Sequence, residues 1–206
     1  MESHFKKCVL IACEESQTVC SAFREVGAEA YSLDLQECSG GHPEWHIRDF
    51  AERYLQGRRY FKTQDGTIHH VPQWDLIIAH PPCTYLSKAS GIDVRKNELR
   101  RAHGLVAVEF FQQCLDAKCD RVAVENPTPL NYWNLPKPTQ VIQPYEFGAN
   151  YQKRTLLWLR GLPPLLPTLW ATGRKSWVYS SRKAKKRSKT FPGIAKAMAE
   201  QWYPLL

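Results

Sequence analysis

The chain has 206 residues, of which 43% are hydrophobic and 12% aromatic, and its formal net charge is +8. This composition excludes a disordered or fibrous protein and is sufficient for one domain with its own core. No apolar run approaches the roughly 18 residues that cross a bilayer, so we expect no membrane partner. The short apolar stretch near the N-terminus predicts a strand and not a secretion signal.

Seven cysteines are present, at positions 8, 13, 20, 38, 83, 114 and 119. Because their number is odd and no secretion signal precedes them, we expect reduced thiols and a cytoplasmic location. Cys38, His42 and His46 have a spacing that resembles a metal site, but no close pair of cysteines accompanies them. We therefore expect a surface loop there and no metal.

Strand-like and helix-like segments alternate along the chain. Buried strands are predicted at 8–13, 29–35, 74–79, 120–127 and 154–163. Helices are predicted at 16–27, at 97–115 and from 192 onward. Ser16 is expected to cap the first helix and Gly27 to end it. The second helix is predicted from residues that recur every three or four positions, namely Leu99, Ala102, Val106, Phe110 and Cys114.

This alternation predicts an α/β fold with a doubly wound, mainly parallel sheet. No repeat or linker marks a second domain, so we expect one domain over 1–206 with excursions at 51–73 and 164–190. Doubly wound sheets bind ligands beyond the carboxyl ends of their strands. Polar clusters follow four predicted strands, at 13–15, 34, 80–83 and 125–127. A cleft is therefore predicted along that edge.

The stretch DLIIAHPPCTYLS, residues 75–87, ends a strand at two prolines and then presents Cys83. The Pro-Pro pair fixes the backbone and stops the strand, so Cys83 is expected on a rigid loop in the cleft. A nucleophile needs such fixed placement. The carboxylate of Glu125, in a Glu-Asn-Pro sequence, strengthens this interpretation.

Three blocks resemble the S-adenosylmethionine-dependent cytosine-C5 DNA methyltransferase family. PPCTYLS resembles the Pro-Cys loop of that family and implies Cys83 as the nucleophile. VAVENP resembles its Glu-Asn strand and implies Glu125 as the acid that grips cytosine. YQKRTLLWL resembles its Gln-x-Arg-x-Arg strand and implies Gln152 and Arg154 in the active site. The resemblance spans 8–163 and implies a Rossmann-like methyltransferase fold and methyl transfer to cytosine C5 through a covalent Cys83 adduct.

The same resemblance implies S-adenosylmethionine as cofactor. Asp34 would bind its ribose hydroxyls and Asp49 its adenine amine, while Cys13 and Pro81, at two strand ends, complete the site. The glycine-rich turn of the family is replaced by ACEESQTV, which has no glycine, so side chains there would crowd a close backbone approach. Glu14 in this stretch could instead meet the cationic end of the cofactor.

The stretch 174–189 carries eight Lys or Arg residues and no acid. DNA is the expected partner of this run, with RNA or a free nucleotide as alternatives, and the residues assigned to binding are Lys183, Lys185, Lys186 and Arg187. A solvated loop is the other interpretation.

The large target-recognition domain of the family is missing after 163. Two alternative functions therefore stay open: an inactive methyltransferase-fold protein that binds nucleic acid or nucleotide, and an enzyme that modifies free pyrimidine nucleotides.

Overall fold

A computed structural model describes residues 6–87, 94, 97–173, 175–177 and 188–206 of the protein. The strands among these residues are β1 (Cys8–Ala12), β2 (Glu29–Asp34), β3 (His46–Arg48), β4 (Tyr60–Lys62), β5 (Ile68–His70), β6 (Leu76–Ala79), β7 (Val122–Pro127), β8 (Gln140–Ile142), β9 (Tyr151–Gln152), β10 (Thr155–Arg160) and β11 (Lys175–Ser176). The α-helices are α1 (Thr18–Glu25), α2 (Ala51–Leu55), α3 (Glu98–Leu115) and α4 (Pro192–Trp202).

Seven of these strands form a central sheet in the order β3-β2-β1-β6-β7-β10-β8. Strands β3, β2, β1, β6 and β7 are mutually parallel, and β10 runs antiparallel between β7 and β8. Because β2 and β3 lie on one side of β1 while β6 and β7 lie on the other, the winding direction reverses between β1 and β6. The predicted fold class, α/β with a doubly wound, mainly parallel Rossmann-like sheet, is confirmed.

Helices cover both faces of the sheet, so β1 is buried along its whole length. Leu10 packs into a core shared with α2 and α3. Val9 and Ile11 point the other way, into a core shared with α1 and α4. This alternation follows from the two-residue period of a strand. Among the described residues, no helix combines the length and apolarity that crossing a membrane requires.

The first and last helices lie where the sequence predicts them. On α4, the residues Ile194, Met198 and Trp202 are buried together, as their spacing predicts. Gly27 follows α1 with a positive φ of 96°, a conformation that favours glycine, so the predicted C-terminal stop is correct.

The helix predicted at 97–115 is confirmed as α3, and only part of its apolar repeat is buried. Leu99 and Val106 are exposed, whereas Cys114 of the same repeat is buried, as are Gly104 and Phe111. Gly104 is buried because the ring of Trp133 occupies the space that a Cβ there would need. The helix therefore packs against Trp133 at its smallest residue.

The surface loop predicted around His46 is wrong. His46 lies on β3 with no exposed surface; its Nδ1 is 2.8 Å from the hydroxyl of Ser32 and its Nε2 is 2.9 Å from the carbonyl of Gln36. Burial lowers the pKa of His46 below its ordinary value, although the bond to Gln36 opposes this shift. The predicted excursion at 51–73, which follows β3, holds α2 and the β4–β5 hairpin.

We expect His46 to make the fold sensitive to mild acid. Since the folded state disfavours the charged imidazole, the unfolded chain takes up a proton first as the pH falls below about 6.5, and stability falls with it. The free energy of unfolding in urea should drop by about 1 to 2 kcal/mol more between pH 7 and pH 5 in wild type than in His46→Gln. An equal drop in both proteins would contradict the assignment.

Candidate active site

The carboxyl ends of β6 and β7 bring His80 and Glu125 together. Ile78 on β6 pairs with Ala123 on β7, so the positions two residues further along both strands are neighbours on the same face. His80 and Glu125 occupy those positions, and Nδ1 of His80 lies 3.0 Å from Oε2 of Glu125. Their side chains are only 11% and 10% exposed. The strand register thus builds a buried imidazole–carboxylate pair at the edge where a ligand cleft was predicted.

Glu125 is an ionised acceptor in this pair. Burial acts to raise the pKa of Glu125, but the hydrogen bond from His80 and the charges of Lys153 and His80 hold it below its ordinary value. The other oxygen, Oε1, has no hydrogen-bond partner among the described residues, and it is not one of their fully enclosed polar atoms. Oε1 is therefore available to a ligand.

The loop that carries Cys83 is fixed from several directions. Asn126 donates to the carbonyl of Pro81 at 2.8 Å, and the indole of Trp133 donates to the carbonyl of Tyr85 at 2.9 Å. The backbone of Leu130 donates to the carbonyl of Leu86 at 2.7 Å. Within the loop, the amides of residues 86 and 87 donate to the carbonyl of Cys83. The half-buried thiol therefore sits on a turn that the segment after β7 holds in place.

Cys83 and Glu125 share one electrostatic environment. Burial raises the pKa of the Cys83 thiol, and the negative charge of Glu125 raises it further. The positive charge of Lys153 and the hydroxyl of Ser87 act in the opposite direction. Since Lys153 lowers the pKa of both Cys83 and Glu125, it is a cation common to the two predicted catalytic groups.

The predicted site residues Gln152 and Arg154 are both exposed, and Lys153 between them is half-buried. Gln152 belongs to β9, which pairs with the short strand β11. Lys153 is the residue of this segment whose positive charge lowers the pKa of Cys83 and of Glu125. A role for Gln152 or Arg154 in substrate binding stays a prediction.

The turn after β1 is built without glycine. Cys13 and Gln17 adopt φ values of 61° and 59°, in the left-handed region that favours glycine, and such backbone strain is concentrated at functional sites. Gln17 is fully buried, and its side-chain amide bonds to the hydroxyl of Ser32 and to the backbone of His42. Side chains thus fill the turn, as the absence of glycine predicts.

Glu14, in the same turn, caps helix α1. Its two carboxylate oxygens accept the backbone N–H groups of Val19 at 2.7 Å and Cys20 at 3.1 Å. Ser16, the predicted cap, contributes one bond: its hydroxyl accepts the N–H of Thr18 at 3.4 Å and donates to Glu14 at 3.4 Å, while Gln17 is the residue that directly precedes the helix. Burial raises the pKa of Glu14, while His80 and the two backbone bonds oppose it. A contact between Glu14 and a cofactor stays a prediction.

The other predicted cofactor residues differ in their freedom to bind. Asp34 ends β2, and only its Oδ1 is engaged, by the backbone N–H of Gln36 at 2.9 Å, among the described residues. Asp34 lies next to the turn after β1, because the N–H of Glu14 in that turn donates to the carbonyl of Leu33 at 3.0 Å. Pro81 is buried, with its carbonyl bonded to Asn126 as described above.

Asp49 follows β3 and is already held by its neighbours. Arg53 lies 3.0 Å and Arg58 3.6 Å from its carboxylate oxygens, and Tyr54 donates to it at 3.3 Å. An adenine amine would have to replace one of these contacts.

The predicted nucleic-acid-binding residues Lys183, Lys185, Lys186 and Arg187 lie outside the described residues. The described residues on either side of them are anchored at the same sheet edge as the site. Ser176 pairs with Gln152, and Lys189 donates to the hydroxyl of Ser39 at 2.9 Å.

Two residues at the site were given no role from the sequence: His80, which was placed only within the polar cluster 80–83 at the predicted cleft, and Lys153. His80 lies inside the stretch that ends at Cys83, and its position one residue past an apolar strand was the available signal. For Lys153 no signal separated it from the adjacent Arg154.

No protein-family model and no curated protein matches the chain. Among solved structures, the chain is similar to the methyltransferase EhMeth of Entamoeba histolytica, with 11% sequence identity and a TM-score of 0.41. The similarity covers 82% of this chain and 58% of that chain, so the chain spans less than two thirds of the length of EhMeth. At this identity and TM-score the similarity carries no inference about activity.

Lys153 and Arg154 provide a matched test of the site. Replacing Lys153 by Met removes a charge that lowers the pKa of Cys83, so less thiolate forms at a given pH. We expect alkylation of Cys83 by iodoacetamide at pH 8, followed by mass spectrometry of its peptide, to slow about threefold to tenfold. Arg154→Met should change the rate less than about twofold. A larger fall in the alkylation rate with Arg154→Met than with Lys153→Met would indicate that Arg154, and not Lys153, acts on Cys83.

Proposed function

We propose that the protein transfers a methyl group from S-adenosylmethionine to C5 of cytosine in DNA, with Cys83 as the covalent nucleophile. The observation that carries this proposal is that the loop of Cys83 and the strand end of Glu125 meet at the carboxyl edge of the sheet, where Asn126 donates to the carbonyl of Pro81 at 2.8 Å and the charge of Glu125 acts on the Cys83 thiol. This edge, next to the reversal between β1 and β6, is where doubly wound sheets bind their ligands. The family resemblance of the Pro-Pro-Cys and Glu-Asn-Pro blocks agrees with that placement.

The residues account for the activation of a poor carbon nucleophile. The Cys83 thiol gives its proton to solvent and its sulfur bonds to C6, which moves the C5–C6 π electrons onto C5. Glu125 accepts a hydrogen bond from the exocyclic amine, and it accepts a second one from N3 once N3 has taken up a proton from solvent as the sulfur adds. Lys153 offsets the negative charge brought by the thiolate. After C5 has gained the methyl carbon, C5 loses its proton to solvent, the C5–C6 double bond forms again and the Cys83 sulfur leaves. For a base in duplex DNA, this chemistry requires flipping out of the stack.

The residues predicted to bind S-adenosylmethionine fit that cofactor only in part. S-adenosylmethionine, when bound, supplies the methyl group as a sulfonium electrophile. Among the described residues Oδ2 of Asp34 has no hydrogen-bond partner and could accept from ribose hydroxyls, and Asp34 adjoins Leu33, which is bonded to the turn after β1. The turn itself departs from a glycine-rich one, because Gln17 fills it and Glu14 is committed to the cap of α1. The methionine end would therefore be held by contacts other than a close backbone approach.

That turn also favours a second candidate, an inactive methyltransferase-fold protein that binds nucleic acid or a nucleotide. The crowded backbone between Cys13 and Gln17 is the observation in its favour. The basic run supports a polyanionic partner for either function, since charge of one sign at this density binds phosphates. A free pyrimidine nucleotide as substrate would use the same addition of Cys83 at C6.

Methyl transfer can be measured by incubating the protein with S-adenosylmethionine and cytosine-containing DNA, then digesting the DNA for nucleoside mass spectrometry. We expect 5-methylcytosine with wild type, and none with Cys83→Ala or with Glu125→Ala. Cys119→Ala, which removes a half-buried thiol near Trp74 away from the site, is the matched control and should keep full activity. DNA binding without any methylated product in wild type would favour the binding protein, and methylation of deoxycytidine monophosphate alone would favour the nucleotide enzyme.

A further inference from the structure

Resting on the proposed function, we infer that His80 is a positioning residue that holds the carboxylate of Glu125 for base binding. The family resemblance assigns roles to Cys83 and Glu125 and none to His80. The imidazole follows β6 directly and lies beside Glu125 because the two strands end in register. Its role is thus fixed by the sheet and not by a mobile loop.

The two oxygens of Glu125 are differentiated by His80. Nδ1 donates to Oε2 at 3.0 Å, so that oxygen and the plane of the carboxylate are fixed. Oε1 has no partner among the described residues and can accept the exocyclic amine of cytosine. A carboxylate that is already oriented does not have to be ordered when the base arrives, and this preorganisation is what a binding group contributes to rate.

The second nitrogen of His80 gives independent support for a ligand at this edge. Nε2 is buried and has no hydrogen-bond partner among the described residues. A buried polar atom without a hydrogen-bond partner destabilises the folded state. Proteins therefore retain one mainly where a ligand or an ordered water forms a hydrogen bond with it. The edge of the sheet between β1 and β6, where this atom lies, is the expected ligand crevice.

Three ionisable groups interact with the pair formed by Glu125 and His80. Glu14 in the turn after β1 interacts with His80, and Lys153 before β10 interacts with Glu125. Cys83 on the loop after β6 is influenced by Glu125, which is itself paired with His80. Because burial favours the neutral form of Glu125, loss of the bond and charge of His80 should shift the ionisation of Glu125 to higher pH.

Two amide substitutions distinguish loss of the Nδ1 hydrogen bond from a change in the size or burial of the side chain. The amide nitrogen of His80→Asn can replace Nδ1, whereas that of His80→Gln replaces Nε2 and leaves Oε2 of Glu125 without its donor. The assay is release of tritium from C5 of cytosine in DNA, which follows attack by Cys83 and needs no methyl transfer. We expect His80→Gln to lower kcat about 100-fold with KM for DNA changed less than about threefold. His80→Asn should stay within about fivefold of wild type.

The pH profile gives a readout that loss of structure alone would not produce. The profile is the kcat of tritium release plotted against pH. The limb that is absent from this profile in Glu125→Gln reports the ionisation of Glu125, and it should lie at higher pH in His80→Gln than in wild type. His69→Gln is the matched control, because it removes a half-buried imidazole bonded to Tyr31 and Thr63, and its profile should equal that of wild type. Wild-type kcat and an unmoved limb in a folded His80→Gln would overturn the inference while leaving the proposed function intact.

Nitrogen-15 NMR of histidine-labelled protein tests the pair without any reaction. We expect the Nδ1 signal of His80 to report a hydrogen bond that is lost in Glu125→Ala, which removes the acceptor, and kept in Cys83→Ala. If wild type releases no tritium and methylates nothing, the proposed function has failed, and this spectrum alone decides whether His80 holds Glu125. An Nδ1 signal that is the same in Glu125→Ala and in wild type would refute the role of His80.

Discussion

The register between the parallel strands β6 and β7 is the constraint on which the site depends. Neighbouring strands lie about 4.8 Å apart, so residues paired across them are adjacent on one face of the sheet. That spacing makes His80 and Glu125 partners at the carboxyl edge, and it also brings Asn126 to the carbonyl of Pro81. A shift of one residue in this register would turn Glu125 to the other face and separate it from His80.

The rest of the site is arranged around this pair by elements that enter the same edge from other parts of the chain. The antiparallel strand β10 brings Lys153 to the end of β7, where its charge lowers the pKa of both Cys83 and Glu125. The turn after β1 places Glu14 close enough to influence His80. Charges of both signs are thus balanced within a largely buried cluster, which permits an ionised carboxylate and a titratable thiol to coexist.

The sequence predicted those features that depend on local patterns and missed those that depend on pairing across the fold. The apolar runs of β1, β6 and β7 and the Pro-Pro stop before Cys83 are local, and they placed the predicted catalytic groups at one edge. His80 could not be assigned as the partner of Glu125, because sequence does not specify the register of two strands 45 residues apart. Lys153 could not be separated from Arg154, since the face on which each lies depends on where β10 begins. The burial of Gly104 on α3 could not be predicted, because it depends on the distant ring of Trp133.

The central claim is that the sulfur of Cys83 and the carboxylate of Glu125 converge on one flat pyrimidine. Its most direct test is covalent trapping on DNA that contains 5-fluorocytosine, in the presence of S-adenosylmethionine, because fluorine at C5 cannot leave as a proton and the enzyme stays attached. Digestion and mass spectrometry should locate the nucleotide on the peptide that contains Cys83, with much less adduct in Glu125→Gln. An adduct on another cysteine, or equal trapping by Cys83→Ala, would contradict the account.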